Sequence, residues 1–221
     1  TAVEGRSVTF DGSSSMNSEA TAMSYTWQFS DGIVLTGAVV QRSFPDNGTY
    51  VATLILNNGV ESTRTRSISV SNAVPVLSAT GVGAALLNDS FALKLTTTDA
   101  AGDLQVPLNY SIDWKDGSAI QQFSGGATRS ALHKYKTPGV YYVTSRVTDK
   151  DAAMSNPVVT KVVVKSVILN GQVLMVEGTD ANDTVTLRPG SSAGSVIAIV
   201  NGATAGVFSG VNLIVVSTHG G

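Results

Sequence analysis

At 221 residues, with 14% charged side chains and a formal charge of −2, the chain has no basic field of the kind that neutralises phosphates, so nucleic acid is not an expected partner. It has no cysteine, which removes disulfides, thiolate nucleophiles and cysteine-ligated zinc in one step. Its longest apolar runs, such as residues 158–164, are broken by Thr160 and Lys161 and fall far short of the roughly 20 residues of a spanning helix, so no membrane insertion is expected. The predicted elements are short strands throughout. Val, Thr, Ser and Gly dominate, β-branched side chains suit a pleated surface, and no stretch shows apolar residues at helical spacing. The chain opens on Thr1 without a basic, apolar leader and stops at His219-Gly220-Gly221 in what reads as a turn, so the expectation is a piece of a longer protein.

In chain order, the first patterned run is Val8-Thr9-Phe10-Asp11-Gly12-Ser13, followed by Tyr25, Trp27 and Phe29 at alternate positions before Asp31-Gly32. Phe44-Pro45-Asp46-Asn47-Gly48-Thr49-Tyr50 then leads into a strand with Ala52, Leu54 and Leu56 in phase, ending at Asn57-Asn58-Gly59. Pro75 closes this unit at Asn72-Ala73-Val74-Pro75. The pattern then recurs. Tyr110, Ile112, Trp114 and Asp116-Gly117 repeat the first block at an offset of 85 residues, and Tyr135 through Tyr141 repeat the second at 91. Val143, Ser145 and Val147 continue that strand to the turn at Asp149-Lys150-Asp151. An insertion around residues 123–130 absorbs the change of offset. About seven strands over roughly 75–90 residues is the density of an immunoglobulin-like sandwich.

These motifs carry a family resemblance. Residues 8–13, 25–32 and 44–50 resemble the PKD domain, whose hallmark is Trp-Asp-Phe-Gly-Asp-Gly, with Gln28 and Ser30 departing from it. The second copy, Ile112-Asp113-Trp114-Lys115-Asp116-Gly117, is similar to a common variant and departs at Lys115. The resemblance covers about residues 1–165 and implies an extracellular β-sandwich that is not a catalyst.

After Lys165 the signature stops. Residues 173–176, 196–200 and 213–216 are apolar strand candidates, and Asn201-Gly202 is a hairpin turn. The segment Gly178-Thr179-Asp180-Ala181-Asn182-Asp183 resembles one copy of the nonapeptide of RTX-type calcium-binding β-rolls, which implies Asp180 and Asp183 as ligands. The expected fold class is therefore all-β: a sandwich over 1–72, a second over 75–165, and a truncated β-rich, β-roll-like module over 166–221.

Nothing here assembles a catalyst. The two histidines, His133 and His219, lack a partner set, and no phosphate or dinucleotide loop is present. The Asp-Gly pairs read as tight turns before carboxylate sites, and the alternating aromatics read as core before sugar platforms. Tyr142, pointing opposite to Tyr141, and Phe123, in the inserted loop, are the exceptions. No organic cofactor is expected. Calcium is the one cofactor considered, because carboxylates cluster at strand ends. Some PKD domains bind it through an early acidic loop and an Asp after the Tyr-containing strand. That resemblance implies Asn17, Glu19 and Asn58 in the first copy, and Asp99, Asp103 and Asp149, with Asp151 nearby, in the second; solvated acidic turns remain the plain alternative. Asn47, Asn88 and Asn182 match the glycosylation tripeptide, which chance supplies readily in such a composition.

The expected function is a non-catalytic structural or adhesion-type spacer in a larger secreted or cell-surface protein, stiffened by calcium. Its expected partners are other domains of the same chain, and protein or polysaccharide surface ligands. The alternative is a carbohydrate-binding accessory module of a secreted hydrolase.

Overall fold

The computed structural model of the chain describes residues 1–15 and 22–218. Asn17, Glu19 and His219 lie outside the described residues. The strands follow the period-two pattern: β1 (Ala2–Val3), β2 (Ser7–Asp11), β3 (Ser24–Phe29), β4 (Val34–Thr36), β5 (Val39–Ser43), β6 (Gly48–Asn57) and β7 (Glu61–Ser71) come from the first copy. They form a five-stranded sheet, β1-β7-β6-β3-β4, and a two-stranded sheet, β2-β5. Trp27, Phe29, Phe44, Ala52, Leu54 and Val70 fill the space between them. Phe10 meets Phe29 edge-on at 5.0 Å, an arrangement that the ring quadrupoles favour.

The second copy supplies β8 (Val76–Gly81), β9 (Ala84–Leu86), β10 (Phe91–Thr98), β11 (Leu108–Asp113), β12 (Gln121–Gly125), β13 (Thr128–His133), β14 (Gly139–Thr148) and β15 (Val158–Lys165). These pair as β13-β10-β8 and β12-β11-β14-β15-β9. Leu93, Leu95, Ile112, Val143 and Val162 are wholly buried between them. Phe123 is a strand residue of β12, half-buried and stacked on Tyr110 at 5.3 Å, rather than the loop residue its position in the insertion suggests. The insertion is accommodated by a longer strand pair, which an alternating Gln-Phe-Gly run is too short to reveal in sequence.

Both copies repeat three further devices. A short strand near the start of each copy pairs parallel to the closing one, β1 with β7 and β9 with β15. A tyrosine hydroxyl donates to the carbonyl four residues back, Tyr50 to Asp46 and Tyr141 to Thr137, forming a tyrosine corner. Gly32 and Gly117 turn at φ of 87° and 86°, as the Asp-Gly pairs require. The aspartates of those pairs do more than turn. Arg42 grips Asp31 through both guanidinium nitrogens, at 3.0 and 2.5 Å, and holds its carboxyl below the usual range. His133 meets Asp116 at 2.7 Å while its ring stacks on Trp114 at 4.6 Å.

The remaining strands are β16 (Val167–Asn170), β17 (Val173–Glu177), β18 (Val185–Pro189), β19 (Val196–Val200), β20 (Ala203–Phe208) and β21 (Leu213–Ser217), in sheets β16-β17-β21 and β18-β19-β20. Val167, Leu174, Val176 and Ala198 form their core. β18, β19 and β20 run as an antiparallel meander, and β17 pairs parallel to β21.

The chain divides into two compact units, and neither is continuous in sequence. The first comprises Thr1–Val76, Thr98–Leu108 and Val147–Ser155; the second comprises Leu77–Thr97, Asn109–Arg146 and Asn156–Gly221. In the second unit the buried Asn88 side-chain amide donates to the Gly178 carbonyl at 2.8 Å, so this asparagine is not free to accept a glycan.

Candidate metal centre

Besides the β5–β6 turn, which contributes Asp46, three stretches of chain in the first unit bring carboxylates together. The first is the turn after β1. β1 runs parallel to β7, and Glu4 N–H donates to the Ser71 carbonyl, so the Glu4 side chain enters the interior at 1% exposure. The second stretch is the single 3-10 turn Asp103–Gln105, whose first residue is completely buried. Gly102 brings it there. Its N–H donates to the Pro45 carbonyl at 2.7 Å, and a Cβ at this position would stand 2.8 Å from that oxygen, so only glycine permits the approach. The third is the turn after β14, where Asp149 accepts from Asp151 N–H at 2.9 Å and Ala153 N–H at 2.8 Å.

One carboxylate oxygen from each of Glu4, Asp99 and Asp103 lies within 4.8 Å of the other two, and the same holds for Asp46, Asp103 and Asp151. Oxygens on opposite sides of a calcium ion, at about 2.4 Å each, are about 4.8 Å apart, so either spacing suits one hard cation. The two triads share Asp103 but differ in what neutralises them. Lys150 serves the second: its ammonium is 2.7 Å from Asp46 and also pairs with Asp151. It reaches Asp103 Oδ1 at 3.0 Å, as an ion pair outside hydrogen-bond geometry. Although burial opposes its charge, these carboxylates raise the lysine's pKa and keep it protonated. The first triad meets that ammonium only through Asp103, and Glu4 and Asp99 form no ion pair among the described residues. Glu4 Oε2, Asp99 Oδ2 and Asp103 Oδ2 are buried and accept no hydrogen bond among the described residues. Burial raises the carboxyls of Glu4 and Asp99 above their ordinary values, and the charge of Asp103 adds to it in both. An unsatisfied buried polar group costs about 1–3 kcal/mol, and a charged one more. Three buried oxygens left this way, on residues whose carboxylates come within 4.8 Å of one another, fit a bound cation.

The residues expected from sequence divide accordingly. Asp99 and Asp103 meet at the first triad, and Asp151 joins the one that Lys150 fills. Asp149 is buried beside them, but its oxygens are taken up by the turn amides and by the Asn72 side chain, which donates at 3.1 Å. Glu4 and Asp46 are additional members that sequence reasoning missed. The only hint in sequence is that Glu4 is a lone acidic residue in the opening strand-turn.

Asp180 and Asp183 belong to neither triad. Asp180 is exposed and pairs with Lys136 at 3.1 Å. Asp183 pins its own turn, accepting from Thr179 N–H at 2.6 Å and from the Asn201 side chain at 2.6 Å, which lowers its pKa. Asn58 lies at the β6–β7 turn, where its side chain accepts from Val60 N–H at 3.2 Å. Both tryptophans are buried, Trp27 at 8% and Trp114 at 1%, and Tyr142 is the exposed ring of the expected platform at 56%.

A family model described as the PKD domain matches residues 1–71. No curated protein matches the chain. Among solved structures, the PKD domain of an M14-like peptidase from Thermoplasmatales archaeon SCGC AB-540-F20 is 22% identical, with a TM-score of 0.38, covering 42% of this chain and 98% of that one. The fibronectin(III)-like modules of Clostridium thermocellum CbhA are 16% identical, with a TM-score of 0.35, covering 74% and 88%. The tandem-sandwich assignment follows from the strand pairing described above.

Proposed function

We propose that the chain is a non-catalytic, extracellular β-sandwich spacer whose first unit is tied together by a divalent cation, calcium by its ligand chemistry, at Glu4, Asp99 and Asp103. One observation carries the metal: Asp103 is 0% exposed, yet Oδ2 has no partner and Oδ1 has only the ion pair with Lys150. The all-oxygen donor set suits a hard ion. Bound there, the ion would add positive charge to a triad that meets the Lys150 ammonium only through Asp103. It would fasten Thr98–Leu108 to the turn after β1, and each of these segments is continuous in the chain with strands on both sides. The spacer reading draws on the PKD-domain match over residues 1–71 and on the two sandwich copies in series.

The test is calorimetric titration of the intact chain with calcium, alongside thermal unfolding in calcium and in chelator. At a free concentration 100 times Kd, binding to the folded state alone adds about 2.7 kcal/mol of stability. We expect saturable binding with a raised Tm, both abolished by Asp103→Asn. No heat and no shift would remove calcium from the proposal and leave a plain spacer. The carbohydrate-binding alternative is left with Tyr142 as its one exposed aromatic ring from the expected set.

A further inference from the structure

The second acidic triad already holds a cation, and that cation is part of the chain. Asp46 sits in the turn between β5 and β6, Asp103 opens the 3-10 turn behind Gly102, and Asp151 follows β14, so three separate stretches of the first unit present one carboxylate each. Oxygens of the three lie within 4.8 Å of one another. The Lys150 ammonium stands among them, 2.7 Å from Asp46 Oδ1, 3.0 Å from Asp103 Oδ1 and donating a hydrogen bond to Asp151. An ammonium has three N–H donors and no acceptor, so it answers carboxylates from several directions at once, as a small metal ion does.

Two features separate this arrangement from an ordinary surface ion pair. Asp103 is 0% exposed and neither of its oxygens accepts a hydrogen bond among the described residues, so its charge is answered only by a cation standing in the cluster. Positive charge is also short. The two triads together carry five carboxyl groups, on Glu4, Asp46, Asp99, Asp103 and Asp151, and Lys150 brings a single positive charge to them. Asp46 and Asp151 are less buried than Asp103, with side chains 40% and 28% exposed. They have room to close by the few tenths of an ångström that separate an ammonium contact from a calcium–oxygen distance of about 2.4 Å, and water can complete the shell.

We infer that Lys150 is a tethered substitute for a second divalent cation: its ammonium occupies a metal position between Asp46, Asp103 and Asp151, so the cluster is built for two cations and carries one of them on its own chain. The occupancy of the first triad rests on the calcium reading above, whereas the position of the second cation rests on the Lys150 contacts. Asp103 bridges the two, with Oδ1 toward the ammonium and Oδ2 left for the ion. The turn that carries Asp46 therefore stays fastened to Asp103 and Asp151 without metal. Lys150 also sets the number of ions: the natural chain takes one, and a neutral side chain of similar length at position 150 admits two.

The test counts ions. Intact chains are titrated with calcium by calorimetry, and bound ions are counted by native mass spectrometry. The parent should take one calcium ion and Lys150→Met two. Lys150→Met combined with Asp46→Asn should return to one, because Asp46 belongs to the second triad alone. In chelator Lys150→Met should melt below the parent, and saturating calcium should close that gap, so the variant can be read even where its metal-free form is unfolded. One ion in the parent and in Lys150→Met alike overturns the inference and leaves the calcium reading standing. No ion in the parent and one in Lys150→Met, lost again with Asp46→Asn, refutes calcium at Glu4 and Asp99 and supports the tethered cation. A second ion that survives Asp46→Asn lies elsewhere and overturns the inference, and no ion in either chain removes both proposals.

Discussion

Glu4 and Asp99 show how burial makes a carboxylate sensitive to pH and cation together. Each is raised chiefly by desolvation, so the folded chain holds these protons to higher pH than the unfolded chain does. A group shifted in that direction contributes its full stability below the unfolded value, near pH 4, and loses it as pH climbs through the raised folded value. Asp31 and Asp151, lowered by Arg42 and Lys150, act in the opposite sense, with stability lost as pH falls. Comparing a variant with its parent separates the two. In chelator, Glu4→Gln should raise Tm by about 2–4 °C at pH 7 and by much less at pH 4, since glutamine keeps the acceptor used by Ala73 N–H at 2.7 Å without the charge. The same variant should lose the rise in Tm on adding calcium. A lower Tm at neutral pH in chelator would show that Glu4 is stabilising as an anion, contrary to its surroundings. From sequence, Asp99, Asp103 and Asp151 were expected as ligands through the resemblance to PKD domains that bind calcium, and the structure brings each into an acidic cluster. Glu4 and Asp46 were not, because burial and long-range approach have no local pattern: Lys150 meets Asp46 across 104 residues.

Among the elements, strands were easier to anticipate than edges. The alternation of Tyr110, Ile112 and Trp114 specifies a strand with one buried face, and these residues are 2%, 0% and 1% exposed. No comparable signal marks what flanks a strand. Val8 and Phe10 alternate as well as their register counterparts Phe91 and Leu93 do, yet only the latter pair is buried. The pairing of Asp31 with Arg42 and of Asp116 with His133 escaped for a related reason. A strand-to-strand partner is chosen by register, and the Asp-Gly turn already accounts for the aspartate locally. The 3-10 turn behind Gly102 offers a test at this scale. Gly102→Ala should push Asp103 away from the Pro45–Asp46 turn, lower stability by about 1–3 kcal/mol and weaken calcium binding, with the strands unchanged by circular dichroism. Retained calcium affinity in that variant would mean that the close approach at Pro45 does not position the ligand.

At the scale of the molecule, the sheets follow the sequence segments while the compact units do not. Among the described residues no sheet mixes strands from residues 2–71, 76–165 and 167–217, so the segments are legible as repeats and tail. The first unit nevertheless includes Thr98–Leu108 and Val147–Ser155, two turns that the repeat pattern assigns to the second copy. Repeat detection reads similarity between copies, and these loops are defined by what they touch. Refolding of the whole chain should reflect this: protection of β6 and β7 amides by pulse-labelled hydrogen exchange should precede calcium uptake followed with a chelating dye. Simultaneous appearance of the two signals would mean that the acidic cluster forms with the first strands.

The threefold visit of the chain to its first unit also sets an order on the ribosome. Synthesis proceeds from the N-terminus at about 5–20 residues per second, so β1 to β7 emerge and can pair while Asp103 and Lys150 are still untranslated. Glu4 and Asp46 wait in water until their partners arrive. A chain cut short before Val147–Ser155 would display a folded leading sandwich with bare carboxylates and without the Lys150 ammonium. Completion of the Lys150 ion pairs therefore marks a chain translated at least that far, whereas the cation site proposed at Glu4, Asp99 and Asp103 is assembled once Thr98–Leu108 has emerged.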